Sequence, residues 1–284
     1  MLSYVSKVKK LLKSLYIPLR VVSPKLFDQQ PDTLAGPNRD YTKFILIGQP
    51  RSGSSLVIGS LRKHPQVVGF GELFNRGQIV FNIKGYDNAS KVLYKARKEY
   101  PTDFLNRYIF SSYLKKKRAV GFKLFPEQLD NQYFECIWDW IEQNRDVAII
   151  LLSRQNTLAT YTSFLIAQKT QVWQTLDKSQ RSSINVTVDM EECLTEFETR
   201  ERYESIVRAK IANHRVMEIT YEDLSKDPSS SIIKIQEFLG LDCLEPAITQ
   251  VKTEMRPLSE IIDNYRELKE RFADTRWAHY FNEE

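Results

Sequence analysis

The chain is predicted to fold as an α/β three-layer sandwich, a mostly parallel central sheet flanked by helices. Short β-like apolar runs alternate with longer stretches of helical periodicity along most of the sequence. The first run, Phe44 to Ile47, breaks at once into the turn Gly48-Gln-Pro-Arg-Ser-Gly-Ser-Ser55, from which a helical pattern departs. A chain of 284 residues, 42% of them hydrophobic, can bury one large core.

The elements follow in order. From Met1 to Phe27 there is no acid, while Lys7, Lys9, Lys10, Lys13, Arg20 and Lys25 interleave with Val5, Val8, Leu11, Leu12, Leu15 and Leu19 at helical spacing, interrupted at Pro18. Residues 1–40 therefore read as a basic amphipathic segment with its connector, and residues 41–284 as a single domain. Two readings of the segment stay open: a surface-seeking helix in peripheral contact with a membrane, or a helix packed on the domain with a solvated basic face. Its interruptions are wrong for a secretory leader, and no apolar run reaches the length of a transmembrane helix. The three cysteines, Cys136, Cys193 and Cys243, are widely spaced and imply a reducing compartment. The expected location is cytoplasmic, with membrane association under the first reading.

Strands are expected at Phe44–Ile47, Val67–Phe70, Ala119–Leu124, Val147–Ser153 and Arg215–Thr220. Helices are expected at Ser54–Lys63, Asn88–Tyr100, Asp103–Leu114, Pro126–Glu142, Thr157–Lys169, Asp189–Asn213, Ser229–Gly240 and Leu258–Phe272. Asp189 with Glu192 reads as a capping box, Gly240 as a helix terminator, and Asp223 as a cap for the turn after it. Lys115 to Arg118 reads as a solvated loop. Asn185-Val-Thr matches a glycosylation triplet of a kind common by chance. In such a sheet ligands bind beyond the carboxyl ends of the strands.

The turn after the first strand has the makings of an anion site. Its glycines allow a sharp reversal, and the following helix offers free amides and the positive end of its dipole. The architecture is P-loop-like, yet Ser54 stands where a nucleotide-hydrolysing loop carries its lysine, and the loop's cation is Arg51 instead. The strand at 147–153 runs into Arg154, not into a magnesium-binding acid. His64, His214 and His279 have no histidine or cysteine neighbour at ligand spacing, so no metal site is expected. His64, before Pro65, reads as a turn residue. A net charge of +5, dispersed along the chain, suits an acidic small molecule and argues against nucleic acid.

The loop is followed by His64-Pro65 and Gly71-Glu72, and Ile149-Ile-Leu-Leu-Ser-Arg154 by a helix carrying Thr160, Thr162 and Ser163. In this order the motifs resemble sulfotransferases that use 3′-phosphoadenosine 5′-phosphosulfate (PAPS). The likeness is greatest to the bacterial carbohydrate branch, the trehalose and Nod-factor enzymes, and to tyrosyl-protein sulfotransferases. Gly121-Phe-Lys123, Tyr221-Glu-Asp-Leu224, Asp227-Pro228, Phe238-Leu-Gly-Leu241 and the tail from Lys252 to Arg276 extend the resemblance from Phe44 to the C-terminus. The R-K-G tail motif of cytosolic sulfotransferases is absent, which leaves the roles of Lys252 and Arg256 open.

The resemblance implies that Pro50, Arg51, Ser52, Gly53, Ser54 and Ser55 hold the 5′-phosphosulfate, and Arg154 with Ser163 the 3′-phosphate. Thr162 competes for Ser163's role. Glu72 is the implied base for an acceptor hydroxyl; its other reading is a surface glutamate capping a turn. Lys123 is either a stabiliser of the leaving phosphate or an acid, or else a strand-end lysine reaching solvent. Tyr221 to Leu224 reads as architecture. Trp173, Phe164, Tyr86 and Phe74 are candidates for an acceptor pocket, with core packing as the other reading. The expected activity is metal-free sulfonate transfer from PAPS to a hydroxyl, on a carbohydrate or glycolipid by resemblance, with tyrosine also open. The alternatives are a P-loop kinase or NTPase and an inactive nucleotide-binding interaction protein.

Overall fold

The computed structural model describes residues 38–76, 79–80, 91–173, 184–248 and 256–282. β1 (Thr42–Gly48), β2 (Val67–Glu72), β3 (Ala119–Leu124), β4 (Ala148–Ser153) and β5 (Val216–Thr220) form one parallel sheet in the order β2-β3-β1-β4-β5. The chain builds first to one side of β1 and then to the other. The turn after β1 therefore lies at the point where the winding reverses, which opens a crevice there.

Side chains alternate along each strand and so divide two cores. Ile45, Ile47, Phe122 and Ile149 pack with Phe104, Ile137, Trp140 and Val207. These come from α3 (Pro101–Phe104), which follows α2 (Lys91–Glu99), and from α4 (Cys136–Gln143) and α6 (Met190–Ile211). On the other face Phe44, Leu46 and Ile150 meet Val57 and Leu61 of α1 (Ser54–Lys63) and Ile232 and Ile235 of α8 (Pro228–Phe238). A third cluster joins α5 (Thr157–Thr170) and the start of α6 to the tail, through Leu158, Phe197, Leu268, Phe272, Trp277 and Phe281. α7 (Tyr221–Lys226) links β5 to α8. Among the described residues, no helix is long and apolar enough to cross a membrane.

The expected strands all form, each within two residues of its predicted bounds. Three helices differ. The one expected at 103–114 is a short helix followed by a π-helical turn, Leu105–Ile109, because Tyr113 leaves to pair with Asn38 in an antiparallel bridge. The one expected at 126–142 is a 3-10 turn, Pro126–Gln128, separated from α4 by Asn131. Asn131 donates to the Gln128 carbonyl and accepts from the Tyr133 amide, a local alternative to helical bonding. The one expected at 258–272 splits into α9 (Leu258–Ile261) and α10 (Tyr265–Phe272), because Ile262 bridges to Val186 and Asn264 bonds both backbone groups of Val188.

Only half of the expected capping box exists. Asp189 accepts from the amides of Glu191 and Glu192, while the Glu192 carboxylate accepts instead from the Tyr161 hydroxyl. Thr220, not Asp223, caps α7, and Asp227 caps α8. A Schellman turn at Gly240 ends α8 as expected, with Leu241 N donating to Gln236 O and Gly240 N to Glu237 O. Lys117 is not merely solvated: its ammonium donates to the carbonyls of Pro65 and Val67. The side chain of Asn185 is held between Asp263 and Arg256. The segment before residue 38 and the first residues of the helix expected from Asn88 lie outside the described residues.

Gly121 marks the tightest approach in the sheet. A Cβ there would lie 2.2 Å from the Phe44 carbonyl oxygen and 2.5 Å from its ring. Gly121→Ala is expected to destabilise the fold by about 3 kcal/mol, the upper end of ordinary overpacking costs. The measurement is a lower urea midpoint at unchanged slope.

Candidate active site

The turn between β1 and α1 takes its shape from two left-handed residues, Arg51 (φ 68°) and Gly53 (φ 87°). At Gly53 a Cβ would meet Leu224 at 3.0 Å and Tyr221 at 3.1 Å, so glycine is required both for conformation and for space. Gly53 is also the N-cap of α1 and brings no side-chain oxygen to its first amides. By contrast Asn156, Asp189, Thr220 and Asp227 cap α5, α6, α7 and α8 with their side chains. The amides of Gly53 and Ser54 thus lack a partner among the described residues, at the positive end of a ten-residue helix.

Pro50, Arg51, Gly53, Ser54 and Ser55 line a cleft of about 1840 Å³. Ser52 does not. Its hydroxyl is buried and donates to the Gln49 carbonyl at 2.6 Å, which tightens the turn from behind.

Glu72 and Lys123 meet in the same cleft. Lys123 Nζ lies 2.9 Å from Glu72 Oε1, with the two side chains only 5% and 19% exposed. A register shift produces this contact. Phe70 pairs with Phe122, but the next pair is Glu72 with Lys123, so β2 carries one residue more than β3. Strict alternation would send Glu72 to the face of Phe70; the bulge brings it round to Lys123. Lys123 Nζ also donates to Ser55 Oγ at 3.3 Å, linking the carboxylate to the anion turn. Lys123 is therefore not a strand-end lysine reaching solvent, nor is Glu72 a lone surface carboxylate.

The opposite wall carries two guanidiniums. Arg154, just past β4, stacks on the Tyr221 ring at 4.3 Å and donates to the Arg51 carbonyl at 3.1 Å. Arg51 Nε donates to Ser163 Oγ at 3.1 Å, and its NH1 to the Trp173 carbonyl. Neither arginine has a carboxylate at ion-pair distance among the described residues. Burial, and for Arg51 also the charge of Arg154, pushes both below the usual guanidinium range. Between the two candidate hydroxyls, Ser163 is engaged by Arg51, while the buried Thr162 Oγ1 has no partner among the described residues.

Sequence reasoning missed three contributors. Gln128, buried on the 3-10 turn, donates to Glu72 Oε2 at 2.9 Å and accepts from Phe125 N at 3.2 Å. Asn75 donates to the same Glu72 oxygen at 3.1 Å. Glu127 lines the cleft beside them. The only signal was the polar Pro-Glu-Gln following an apolar strand. Of the aromatic candidates, Phe164 and Trp173 meet edge-on at the cleft, whereas Phe74 is wholly buried in the core and lines nothing. Tyr86 and Lys252 lie outside the described residues. Arg256 lines the cleft and bonds Asn185 and the Ile184 carbonyl. His64 is structural: it accepts from Gln66 N, and its Nε2 faces the Asp242 carbonyl at 2.9 Å.

The sequence pattern of the sulfotransferase family matches residues 44–246, which includes the turn, the Glu72–Lys123 pair and Arg154. The chain belongs to the sulfotransferase family. Nodulation protein H of Rhizobium meliloti strain 1021 is 27% identical over 244 residues, covering 84% of this sulfotransferase and 94% of the relative. Nodulation protein H of Rhizobium tropici is 23% identical over 242 residues, covering 84% and 92%. Among solved structures, a sulfotransferase from Alicyclobacillus acidocaldarius superposes with a TM-score of 0.44 at 17% identity, covering 82% of this chain and 91% of its own. Mouse sulfotransferase SULT7A1, complexed with PAP, gives 0.41 at 14% identity, covering 84% and 88%.

Gln128→Leu leaves the Phe125 amide and one Glu72 oxygen each short of a partner. It is expected to lower stability by about 1–3 kcal/mol, read from chemical denaturation.

Proposed function

We propose that this sulfotransferase moves the sulfonate of PAPS to a hydroxyl of a carbohydrate acceptor, with Glu72 as base and without a metal. The observation that carries the reading is the charge arrangement of one cleft: uncapped α1 amides and two arginines without carboxylate partners on one side, and an ion-paired glutamate on the other. The donor set fits a bisphosphorylated nucleotide carrying a sulfonate. The free amides of Gly53 and Ser54 suit a 5′-phosphate, and Arg154, held flat on Tyr221, suits a second phosphate. The carbohydrate acceptor rests on the motif resemblance to the bacterial carbohydrate branch, on the curated nodulation relatives, and on the polar wall around Glu72.

PAPS supplies an activated sulfonate whose sulfur–oxygen bond to the 5′-phosphate breaks as the acceptor oxygen bonds to sulfur. Glu72 takes the proton of that acceptor hydroxyl on its carboxylate. Asn75 and Gln128 fix the orientation of the carboxylate by bonding its other oxygen. Lys123, between Glu72 and Ser55, faces the negative charge that the breaking bond leaves on the phosphate oxygen, and its movement toward that charge frees Glu72 of its ion-pair partner. Arg51 exchanges its neutral partners, Ser163 and the Trp173 carbonyl, for sulfonate and phosphate oxygens, which are stronger acceptors. A sulfonate carries less charge than a γ-phosphate, so these cations suffice.

Transfer of labelled sulfonate from PAPS to a panel of glycans, lipids and tyrosine peptides tests the reading; turnover of ATP with magnesium and none with PAPS would overturn it. Glu72→Gln is expected to lower kcat by about 10²–10⁴-fold, the range for loss of a general base. Arg154→Ala is expected to weaken PAP binding by about 10–100-fold, as for loss of charge-assisted hydrogen bonds. Saturating EDTA is expected to leave both the rate and PAP affinity unchanged.

A further inference from the structure

Glu127 has no evident structural employment. It lies on the 3-10 turn after β3, next to Gln128, and lines the same cleft as Glu72. Its carboxylate bonds its own backbone amide and has no other hydrogen-bond or ion-pair partner among the described residues. The cation whose charge acts on it is Arg200 on α6, but that guanidinium is already committed to Glu196 and, at 2.5 Å, to Gln49 Oε1. Two further carboxylates face Glu127, Glu72 from β2 and Glu196 from α6. Burial first, with these like charges adding to it, pushes Glu127 up to about 7, against the opposing pull of its own backbone amide and of Arg200. A carboxyl mostly withdrawn from water, with only its own amide as a partner, costs the folded state free energy. A partner arriving from the cleft would offset that cost.

The placement says which partner. Gln128 Nε2 bonds Glu72 Oε2 at 2.9 Å, so Glu127 is one residue from the group that orients the base. The two carboxyls stand at the carboxyl ends of neighbouring strands and line the same cleft. A hydroxyl can donate to a carboxylate and accept from a carboxylic acid, so it pairs with either form of a group that titrates near neutrality. An ammonium pairs with only one.

We propose that Glu127 is a specificity residue for the acceptor, hydrogen-bonding a second hydroxyl close to the one that Glu72 deprotonates, so that polyhydroxylated acceptors are favoured over monohydroxy ones. The inference rests on the reading of Glu72 given above.

The test uses the full chain, saturating PAPS, the glycan acceptor found in the panel, and the monodeoxy analogues of that glycan. Glu127→Ala is expected to raise KM for the parent glycan by about 10–100-fold, the value of a hydrogen bond to a charged group. Its kcat should stay within a few-fold, PAP affinity should be unchanged, and Glu127→Gln should restore part of the loss. With the one deoxy analogue that lacks the contacted hydroxyl, wild type and Glu127→Ala should have equal KM.

A second readout does not depend on turnover. A carboxyl with its folded pKa raised above the unfolded value destabilises progressively as pH rises between the two, and fully above the folded one. Glu127→Gln should therefore be more stable than wild type above pH 7, with the gain fading as the pH falls toward the unfolded value near 4.5. Equal KM for wild type and Glu127→Ala with the parent glycan overturns the proposal. So does a KM penalty of the same size with every deoxy analogue, or the absence of a stability gain above pH 7. Failure of the wild type to sulfate any glycan overturns the reading of the acceptor itself, a distinct result.

Discussion

The active cleft depends on the buried ion pair between Glu72 and Lys123. Two charges taken from water at strand ends are tolerated only when paired and further hydrogen-bonded. Here the carboxylate gains Asn75 and Gln128, and the ammonium gains Ser55 and the face of Phe125 at 4.8 Å. The pair exists because β2 bulges by one residue beside Phe70. Without that shift the glutamate would be driven toward an apolar core, and Lys123 would stand as an isolated buried cation. The bulge, the pair and the 3-10 turn that supplies Gln128 therefore form one unit at the carboxyl end of the sheet.

Much of this was legible in the sequence, and the failures have identifiable causes. The strands were readable because parallel strands buried on both faces are nearly continuous apolar runs, as in Phe44 to Ile47 and Ile149 to Leu152. The anion turn was readable because glycine and proline spacing carries a conformation. The breaks at Asn131 and Ile262 were not, since each depends on partners remote in sequence or on a local side-chain bond that helical periodicity ignores. The bulge shows in the sequence only as Gly71, the residue it leaves unpaired, while alternation along Val67 to Glu72 predicts the wrong face for Glu72. The resemblance singled out Glu72 and Lys123, which the structure brings together, while the physical reading of the same residues remained divided. Ser52 shows the opposite case, in which a loop motif includes a residue whose hydroxyl works inward, on the backbone of the turn.

The arginine wall stores unfavourable electrostatics. Arg154 lies close enough to Arg51 to lower its affinity for protons, and both are largely removed from solvent. Their partners are neutral: a serine hydroxyl, two backbone carbonyls and an aromatic face. Arg51 also occupies a left-handed backbone conformation, which costs a non-glycine residue on the order of 1–3 kcal/mol. An anion bound between the two guanidiniums replaces weak acceptors with strong ones and removes their repulsion. Part of its binding energy is thus relief of a cost that the ligand-free fold already bears.

Lys123 sits where the two halves of the cleft meet, touching Ser55 of the anion turn and Glu72 of the acceptor wall. A cation in that place cannot serve both sides fully at once. In the proposed reaction the ammonium would turn from Glu72 toward the negative charge developing on the anion side, so that proton uptake by Glu72 would be coupled to that charge through a single cation, more strongly as water is excluded, because the effective dielectric falls. Since the contact is set by strand register and not by a flexible loop, the distance between base and anion turn is fixed by the same hydrogen bonds that hold β2 to β3.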